Sequence, residues 1–356
     1  MNSEEKIVLY LEKNGIDALY VSNPANVRYV SKYTGDDSNL LITKTACYFI
    51  TDPRYTEQAA MECPSYEIFN WRVGSRTRGT ALGELAERAG LKSIAFEQDF
   101  VTFAEYSELK VAVKAELVPV SGVIEAFRAV KTEEEIECSR IACDIASRAF
   151  EKIIKDIRVG ITEKELASRL SHYMVLEGSD TKPYGNILIS GARTSLLHGI
   201  PSAKALEYGD FVLMDYGCQY HGYLSDMTRT VVVGKASPKQ KEVYRLEQQM
   251  VRDATAAMKA GATGEDVYKA SVQAIQGTEY FPYHYQGIGH SVGLFVHELP
   301  GLGPRHTAPL ELGNIITIEP GIYIPGWGGV RIEDQILITE SENESLTTAS
   351  RDLLEL

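Results

Sequence analysis

The most informative stretch of the chain is GDFVLMDYGCQYHGYLSDMTRTVVVG, residues 209–234. Two β-branched and aromatic runs flank a turn candidate at residues 219–222, a pattern that predicts a β-hairpin. A turn centred between Tyr220 and His221 would place Asp215 directly opposite Asp226, with their β-carbons about 4.5–5.5 Å apart. Because like charges in that position are destabilising, the pair indicates a cation between the two carboxylates.

A second stretch, NIITIEPGIYIPGWGGVRIEDQILIT at residues 314–339, repeats this arrangement. Apolar strands lie on both sides of PGWGG, and a hairpin centred on Gly326 would place Glu319 opposite Glu333. Taken singly, each of these acids is more often a turn, cap or surface residue. Two acidic pairs inside otherwise apolar strands favour a metal site.

A histidine in a third segment completes the candidate ligand set. His290 lies in YQGIGHSVGLFVHE, residues 285–298, which the pattern predicts to be a glycine-rich strand. Alone, His290 would more often be a buried structural histidine. Together, four carboxylates and one imidazole suit hard or borderline divalent metals. Two such cations would neutralise the four negative charges, and paired metals are a standard means of generating a hydroxide nucleophile near neutral pH.

Composition narrows the class of protein. The chain has 356 residues, 44% hydrophobic and 24% charged, with a net charge of −13, values typical of a globular protein. Nucleic-acid binding is not expected, because it depends on a basic surface. No apolar run approaches the roughly 20 residues that span a bilayer, so no membrane association is expected.

The N-terminus and the cysteines predict a cytoplasmic protein. MNSEEKIVLYLEKNG opens with acids and lacks the order of a signal peptide. The cysteines are few and odd in number, which is typical of reduced thiols. They are Cys47, Cys63, Cys138, Cys143 and Cys218.

The chain is predicted to form two domains, residues 1–130 and 131–356. Strands predicted at 17–23, 39–52 and 93–98 alternate with helices, which indicates an N-terminal α/β domain. Thr132 and Glu135 have the spacing of a capping box and open a long helix. Beyond it, helices are predicted at 133–156, 162–177, 238–260 and 264–276, and strands at 186–191, 210–217, 224–233, 288–297, 314–324 and 329–339, which together indicate a sheet covered by helices.

These motifs resemble the creatinase/prolidase/methionine-aminopeptidase superfamily and its "pita-bread" fold. DYGCQYHGYLSDMTRT, GIGHSVGLFVHE, EPGIY and VRIEDQILIT match its catalytic motifs, while NPANVRYVSKYTGDDSNLLI and TDPRYTEQA are similar to the N-terminal domain of Xaa-Pro peptidases and creatinases. The resemblance covers the whole chain. It implies an α/β creatinase-like N-terminal domain followed by an α+β pita-bread catalytic domain.

The resemblance also implies roles for individual residues. Asp215 would bind the first metal, His290 and Glu319 the second, and Asp226 and Glu333 both. Glu319 would also shuttle a proton. His198, in LLHGIPS, and His297, in VHE, resemble histidines that contact the substrate or stabilise the tetrahedral intermediate, and Arg331 would orient a neighbouring acid or the substrate.

The implied activity is hydrolysis of the bond between an N-terminal residue and proline, with two divalent ions, manganese or cobalt in the first place and iron or zinc as alternatives. A dipeptide substrate would make the enzyme a prolidase, and longer peptides an aminopeptidase P. A homodimer would be usual for the resemblance. Creatinase shares the fold without the metal ligands, all five of which are present in this chain.

Two differences from the usual motifs of Xaa-Pro peptidases leave other functions possible for this chain. In many Xaa-Pro peptidases a histidine that shapes the proline pocket stands four residues before the metal-binding histidine; here that position is Gln286, and His284 lies two residues further upstream. Ser291 follows His290, where glycine is common. The alternatives are a non-peptidase hydrolase or lyase of a small substrate on the same scaffold, and a binding module without catalysis, which the intact ligand set disfavours.

Overall fold

The structure is a computed structural model that describes residues 1–180 and 185–356. The chain divides into two compact units, Met1–Arg128 and Ala129–Leu356. Across the described ranges, no helix combines the length and the apolar character that a membrane crossing requires. None of the five cysteines, all of which lie in the described ranges, forms a disulfide bond.

The first unit is built on one mixed six-stranded sheet. Its strands are β1 Ala18–Val21, β2 Asn39–Thr43, β3 Cys47–Thr51, β4 Glu67–Asn70, β5 Ser93–Glu97 and β6 Glu116–Val120. Its helices are α1 Ser3–Asn14, α2 Pro24–Ser31, α3 Thr56–Glu62, α4 Arg78–Arg88, α5 Phe103–Ala112 and α6 Val123–Ala129. The strand order is β4-β3-β2-β1-β5-β6, with β1 parallel to β5 and antiparallel to β2. The predicted α/β character of this part is therefore confirmed.

One local prediction in this unit is wrong, and several of its elements were not predicted. Residues 39–52 form two antiparallel strands, β2 and β3, rather than one. The break comes at residues 44–46, where the Thr43 hydroxyl accepts a hydrogen bond from the backbone of Ala46 at 2.8 Å and closes a tight turn. Helix α2 was not predicted, although Asn23 caps it by accepting a bond from the Ala25 N–H and Pro24 occupies its first turn, both common start signals.

The second unit carries several antiparallel sheets and long helices. Its helices are α7 Glu133–Ile153, α8 Glu163–Leu176, α9 Pro238–Ala257 and α10 Gly264–Ser271, with short 3-10 turns at Gly191–Ser195, Val272–Ala274 and Phe281–Tyr283. Its strands are β7 Ile187–Ser190, β8 Phe211–Tyr216, β9 Gln219–Tyr220, β10 Tyr223–Leu224, β11 Met227–Val232, β12 Gly289–Ser291, β13 Glu298–Leu302, β14 Ile315–Ile318, β15 Gly321–Ile324, β16 Gly328–Arg331, β17 Asp334–Leu337 and β18 Glu344–Ser345.

Two large apolar clusters form much of the core of this unit. The first packs α7 and α8 against the sheet β11-β8-β7, with Phe150, Leu170 and Met214 fully buried. The second packs α9 and α10 against strands β14 to β17, with Val251, Ile318 and Ile336 fully buried. In both clusters helices therefore cover the apolar faces of the strands, as the sequence predicts.

The register predicted for the first hairpin is wrong by two residues. Asp215 lies opposite Thr228, not Asp226, and Tyr220 lies opposite Tyr223. The turn falls at His221 and Gly222, which both have positive φ, 49° and 89°, the signature of a type I′ hairpin turn. Because side chains alternate with a period of two, a shift of two residues keeps Asp226 on the predicted face.

The register predicted for the second hairpin is the one that the structure has. Gly321 pairs with Arg331 and Ile318 pairs with Asp334, which places Glu319 and Glu333 at corresponding positions just outside the paired segments. The histidine segment is shorter than predicted. Its strand β12 ends at Ser291, and His297 lies in the connection before β13.

Candidate metal centre

The second unit brings the five predicted ligands into one region. Ligand atoms of Asp226, His290 and Glu333 all lie within 4.8 Å of one another. His290 Nε2 is 3.8 Å from Asp226 Oδ2 and 3.2 Å from Glu319 Oε1. Asp215 joins the group through Arg331, whose Nη2 donates to Asp215 Oδ2.

Different elements supply these side chains. Asp215 lies on β8, Asp226 lies between β10 and β11, and His290 lies on β12, while Glu319 and Glu333 each lie between two strands of the second hairpin. Hydrogen bonds fix the backbone around the cluster. The Asp226 N–H donates to Gln335 Oε1 at 2.6 Å, and the Glu333 N–H donates to the Thr228 carbonyl at 3.0 Å.

Burial and mutual repulsion dominate the electrostatics of Glu333. This side chain is 1% exposed. Burial, together with the charges of Asp226, Glu319 and Asp215, raises the pKa of Glu333 well above its usual value. Burial also raises the pKa of Asp215, against the attraction of Arg331. Acids packed in this way are destabilising unless a positive group compensates them.

His290 and Glu319 form a coupled pair at the other side of the cluster. Burial opposes the charged imidazole, but the hydrogen bond with Glu319 raises the pKa of His290 to about 9. Burial acts to raise the pKa of Glu319, and the bond with His290 outweighs it, so that this pKa is lowered. Glu319 is therefore ionised at neutral pH.

The residues fit a pair of divalent cations. One oxygen of Glu333, Oε1, is buried and has no hydrogen-bond partner within the described residues, and buried carboxylate oxygens are normally satisfied. The donor set of carboxylate oxygens and one imidazole nitrogen is the type that manganese, iron, cobalt and related ions prefer.

The two further histidines lie beside this cluster. The rings of His290 and His297 are 4.3 Å apart between centroids and meet edge to face at 77°. Burial and the charge of His290 lower the pKa of His297. His198, an exposed residue in the segment after the 3-10 turn Gly191–Ser195, is near enough for its charge to act on the pKa values of Asp215 and His297.

Three residues that form hydrogen bonds around the cluster were not predicted from the sequence. The Thr228 hydroxyl donates to Glu333 Oε2 at 2.7 Å and accepts from Arg331 Nε at 3.0 Å. The Tyr323 hydroxyl accepts from Arg331 Nη1 at 2.7 Å, and the Thr317 hydroxyl accepts from the His290 N–H at 3.0 Å. Thr228 is two residues from Asp226 and Thr317 two from Glu319, so strand periodicity was the available signal.

The departures around His290 have structural partners. Ser291 is fully buried; its hydroxyl donates to the Ile315 carbonyl and accepts from Lys131 Nζ, both at 2.8 Å. His284 uses its ring nitrogens toward the Tyr268 hydroxyl at 2.8 Å and the Phe281 carbonyl at 2.5 Å. Gln286 is exposed.

A two-domain chain with a carboxylate-rich centre on paired hairpins is the architecture of a metallopeptidase. Residues 137–340 match the model of metallopeptidase family M24, and residues 5–130 match the creatinase/prolidase N-terminal domain. The chain belongs to metallopeptidase family M24. The predicted superfamily, the two-domain fold class and the prediction of a peptidase are thereby confirmed.

Relatives match along almost the full length of the chain. An Xaa-Pro dipeptidase of Pyrococcus furiosus is 34% identical over 98% of this chain and 99% of its own length. Among solved structures, an Xaa-Pro dipeptidase from Bacillus anthracis has a TM-score of 0.95 and 38% identity, covering 99% of both chains. An X-Pro aminopeptidase from Thermotoga maritima has a TM-score of 0.89 and 33% identity, covering 97% of this chain and 99% of that one.

Proposed function

We propose that the protein is a dinuclear metal-dependent exopeptidase that hydrolyses the Xaa-Pro bond of dipeptides or short peptides. The observation that carries this proposal is the buried acidic cluster, in which Glu333 is 1% exposed and surrounded by Asp215, Asp226 and Glu319. Such a concentration of buried carboxylates is costly without compensating cations, and the family is one of metallopeptidases.

The ligands would divide between two ions. Asp215 would hold the first, His290 and Glu319 the second, and Asp226 and Glu333 both. When bound, the ions supply an activated water and polarise the scissile carbonyl. Manganese or cobalt is the proposed metal, because an oxygen-rich set disfavours a thiolate-type zinc site.

The protein's own groups would move the proton and orient the ligands. Glu319 is ionised at neutral pH and can accept a proton at a carboxylate oxygen, then return it to the leaving nitrogen. Arg331 is buried and bonds Asp215, Thr228 and Tyr323 at once, so it fixes the direction of the Asp215 carboxylate.

His198 and His297 are the two histidines beside the cluster that are not proposed as metal ligands. Both would donate to the substrate carbonyl as negative charge develops on its oxygen, the type of stabilisation that contributes most in acyl transfer. The burial and His290 charge that lower the pKa of His297 favour a neutral imidazole, which retains one N–H donor.

Substrate length and proline preference form the finer part of the proposal. The relatives include both an Xaa-Pro dipeptidase and an X-Pro aminopeptidase, so dipeptides and short peptides are both proposed substrates. A homodimer in the cytoplasm completes the proposal, and light scattering on the purified protein tests the oligomeric state.

A peptide panel tests the proposed activity. Ala-Pro, Met-Pro and their tripeptide extensions, incubated with manganese or cobalt, are expected to be cleaved before proline, and a chelator or Asp226→Ala is expected to abolish cleavage. Ala-Ala and Met-Ala are the matched substrates without proline. Metal analysis of the same samples should give two ions per chain. An enzyme loaded with two metals that cleaves no member of the panel would refute the proposal.

The panel also addresses the second candidate function. Gln286 stands where many Xaa-Pro peptidases have a histidine, an observation that favours a non-peptidase hydrolase or lyase of a small substrate. Cleavage of a small non-peptide amide without peptide hydrolysis would support this candidate. Equal cleavage before proline and before alanine would instead retain a peptidase and remove its proline specificity.

A further inference from the structure

The carboxylate of Glu163 is fully buried and is outside the candidate metal centre. Glu163 is the first residue of α8, and Thr162 caps that helix. Its Oε1 accepts from the Ser190 N–H at 2.8 Å and hydroxyl at 2.9 Å, and its Oε2 accepts from the Ser202 N–H at 2.9 Å and hydroxyl at 2.7 Å. Arg193 Nε lies between the two oxygens, at 3.2 and 3.3 Å.

These partners are the two ends of the segment that carries His198. Ser190 is the last residue of β7, Ser202 follows the segment 191–201, and His198 lies inside it. Arg193 reaches across the base of the segment, because its Nη2 donates to the Ile200 carbonyl at 2.7 Å. The Glu163 carboxylate thus joins the two ends of the segment, at Ser190 and Ser202, and also binds Arg193 within it.

The segment has little room to adjust on its own. A Cβ at Gly199 would lie 2.9 Å from Ile189 Cδ1, so residue 199 packs directly against β7. The Thr194 hydroxyl accepts from the Gly329 N–H at 2.7 Å, two residues before Arg331 on β16. A displacement at Ser190 or Ser202 would therefore be carried to His198 rather than absorbed.

We infer that Glu163 is a positioning residue that holds His198 in place for catalysis; this inference rests on the role given to His198 in the proposed function. The chemistry of the partners requires a carboxylate. Five donors converge on two oxygens, whereas a glutamine offers one oxygen and presents an NH2 group to donors. Glu163→Gln therefore keeps the shape of the side chain and breaks one end of the closure.

Steady-state kinetics on the metal-loaded enzyme test the inference. Glu163→Gln is expected to lower kcat roughly 10- to 100-fold, the effect of misplacing a group by about 1 Å, with a smaller change in KM. Glu165→Gln is the matched control, because Glu165 lies on the same helix, is exposed and pairs with Arg169. It is expected to behave as the wild type.

The double variant separates positioning from a general structural effect. If Glu163 acts through His198, Glu163→Gln in a His198→Ala background should change kcat by less than about 2-fold. Equal losses in both backgrounds would overturn the inference. Ser202→Ala, which removes one hydroxyl donor, is a milder second variant if Glu163→Gln folds poorly.

Amide hydrogen exchange gives a readout that does not depend on activity. The Ser190 and Ser202 N–H groups are expected to lose protection in Glu163→Gln and to keep it in Glu165→Gln. Unchanged protection would overturn the inference. If His198→Ala leaves turnover intact, the role of His198 in the proposed function fails and positioning fails with it. If His198→Ala is impaired while Glu163→Gln matches its control, only the positioning inference fails.

Discussion

At the scale of single residues, the surroundings of Glu333 oppose a negative charge on its side chain. Its carboxyl group is buried beside other acids, its pKa is raised well above the usual value by burial and their charges, and Thr228 satisfies only one of its oxygens. A raised pKa in the folded state means that stability is fully present below the unfolded pKa of about 4.5 and is lost as pH rises. The contribution of Glu333 to the stability of the metal-free protein should therefore be least favourable at neutral and alkaline pH.

Glu333→Gln is expected to stabilise the metal-free protein and to abolish activity. The substitution removes a buried ionisable group, and each kcal/mol regained should raise Tm by about 2–4 °C for a unit of this size. Thermal melts with chelator at pH 5 and pH 8 measure the effect, which should be larger at pH 8. Glu340→Gln, an exposed acid, is the control. A lower Tm for Glu333→Gln at pH 8 would contradict the argument.

The chemistry of the centre was predictable from sequence, but its supporting hydrogen bonds were not. Acidic residues within apolar strands are unusual, because burying a carboxylate is unfavourable. The four acids, Asp215, Asp226, Glu319 and Glu333, could therefore be recognised without knowing how the strands pair. Thr228 is different, because a threonine in a strand is ordinary. Its role depends on lying beside Glu333 of the second hairpin and on a register of the first hairpin that only the structure reveals.

At the scale of elements, the turn of the first hairpin sets its strand register, and the residue types in that turn do not predict its position. Gly222 is a common turn residue, but His221, with a φ of 49°, is a less common one, since few residues other than glycine adopt positive φ. The second hairpin, by contrast, has Gly326 at a φ of 76° in PGWGG, and its register was predicted correctly. Turn chemistry therefore determined which strand pairing could be predicted.

Substitutions at Gly222 test the type I′ turn. Gly222→Ala should destabilise the protein by about 1 kcal/mol, because a Cβ disfavours the left-handed region, at a φ of 89° here. Gly222→Asn should cost less, since asparagine tolerates that region. Urea unfolding midpoints of the two variants measure the difference. An alanine variant as stable as the wild type would contradict the assigned turn.

A buried ion pair anchors the element that carries His297. Lys131 Nζ lies 3.4 Å from Glu298 Oε2, with side-chain exposures of 2% and 6%, and Glu298 Oε1 accepts from the Phe295 N–H at 2.9 Å. Lys131 also donates to Ser291, next to His290. One buried cation thus connects the strand of His290 with the residue that follows His297.

Replacing one partner of this ion pair should destabilise the protein more than replacing both partners. Lys131→Met removes the buried cation beside the Glu298 carboxylate and is expected to destabilise the protein by about 3–5 kcal/mol. The double variant with Glu298→Gln should recover part of that loss. Chemical denaturation of both single variants and the double variant gives the coupling. Lys155→Met, at an exposed lysine, is the control. Additive losses would mean that the two residues act independently.

At the scale of the whole molecule, part of the net negative charge of the chain is concentrated at the candidate metal centre. The net charge is −13, and four of the acids converge on one centre between the two hairpins. Residues 209–234 and 314–339 supply all four, while apolar clusters behind the sheets hold these hairpins in place. The fold therefore places four mutually repelling acids beside well-packed apolar clusters, an arrangement that bound cations would make more favourable.

Metal loading should consequently stabilise the protein and order these hairpins. A ligand present at 100 times its Kd stabilises by about 2.7 kcal/mol, which corresponds to a rise in Tm of roughly 5–10 °C. Manganese titration followed by chelation should produce and reverse that rise, with magnesium as the ionic control. Hydrogen exchange should show the gain in protection concentrated in residues 209–234, 289–291 and 314–339. A rise in Tm with protection gained elsewhere would place the metal outside the five proposed ligands.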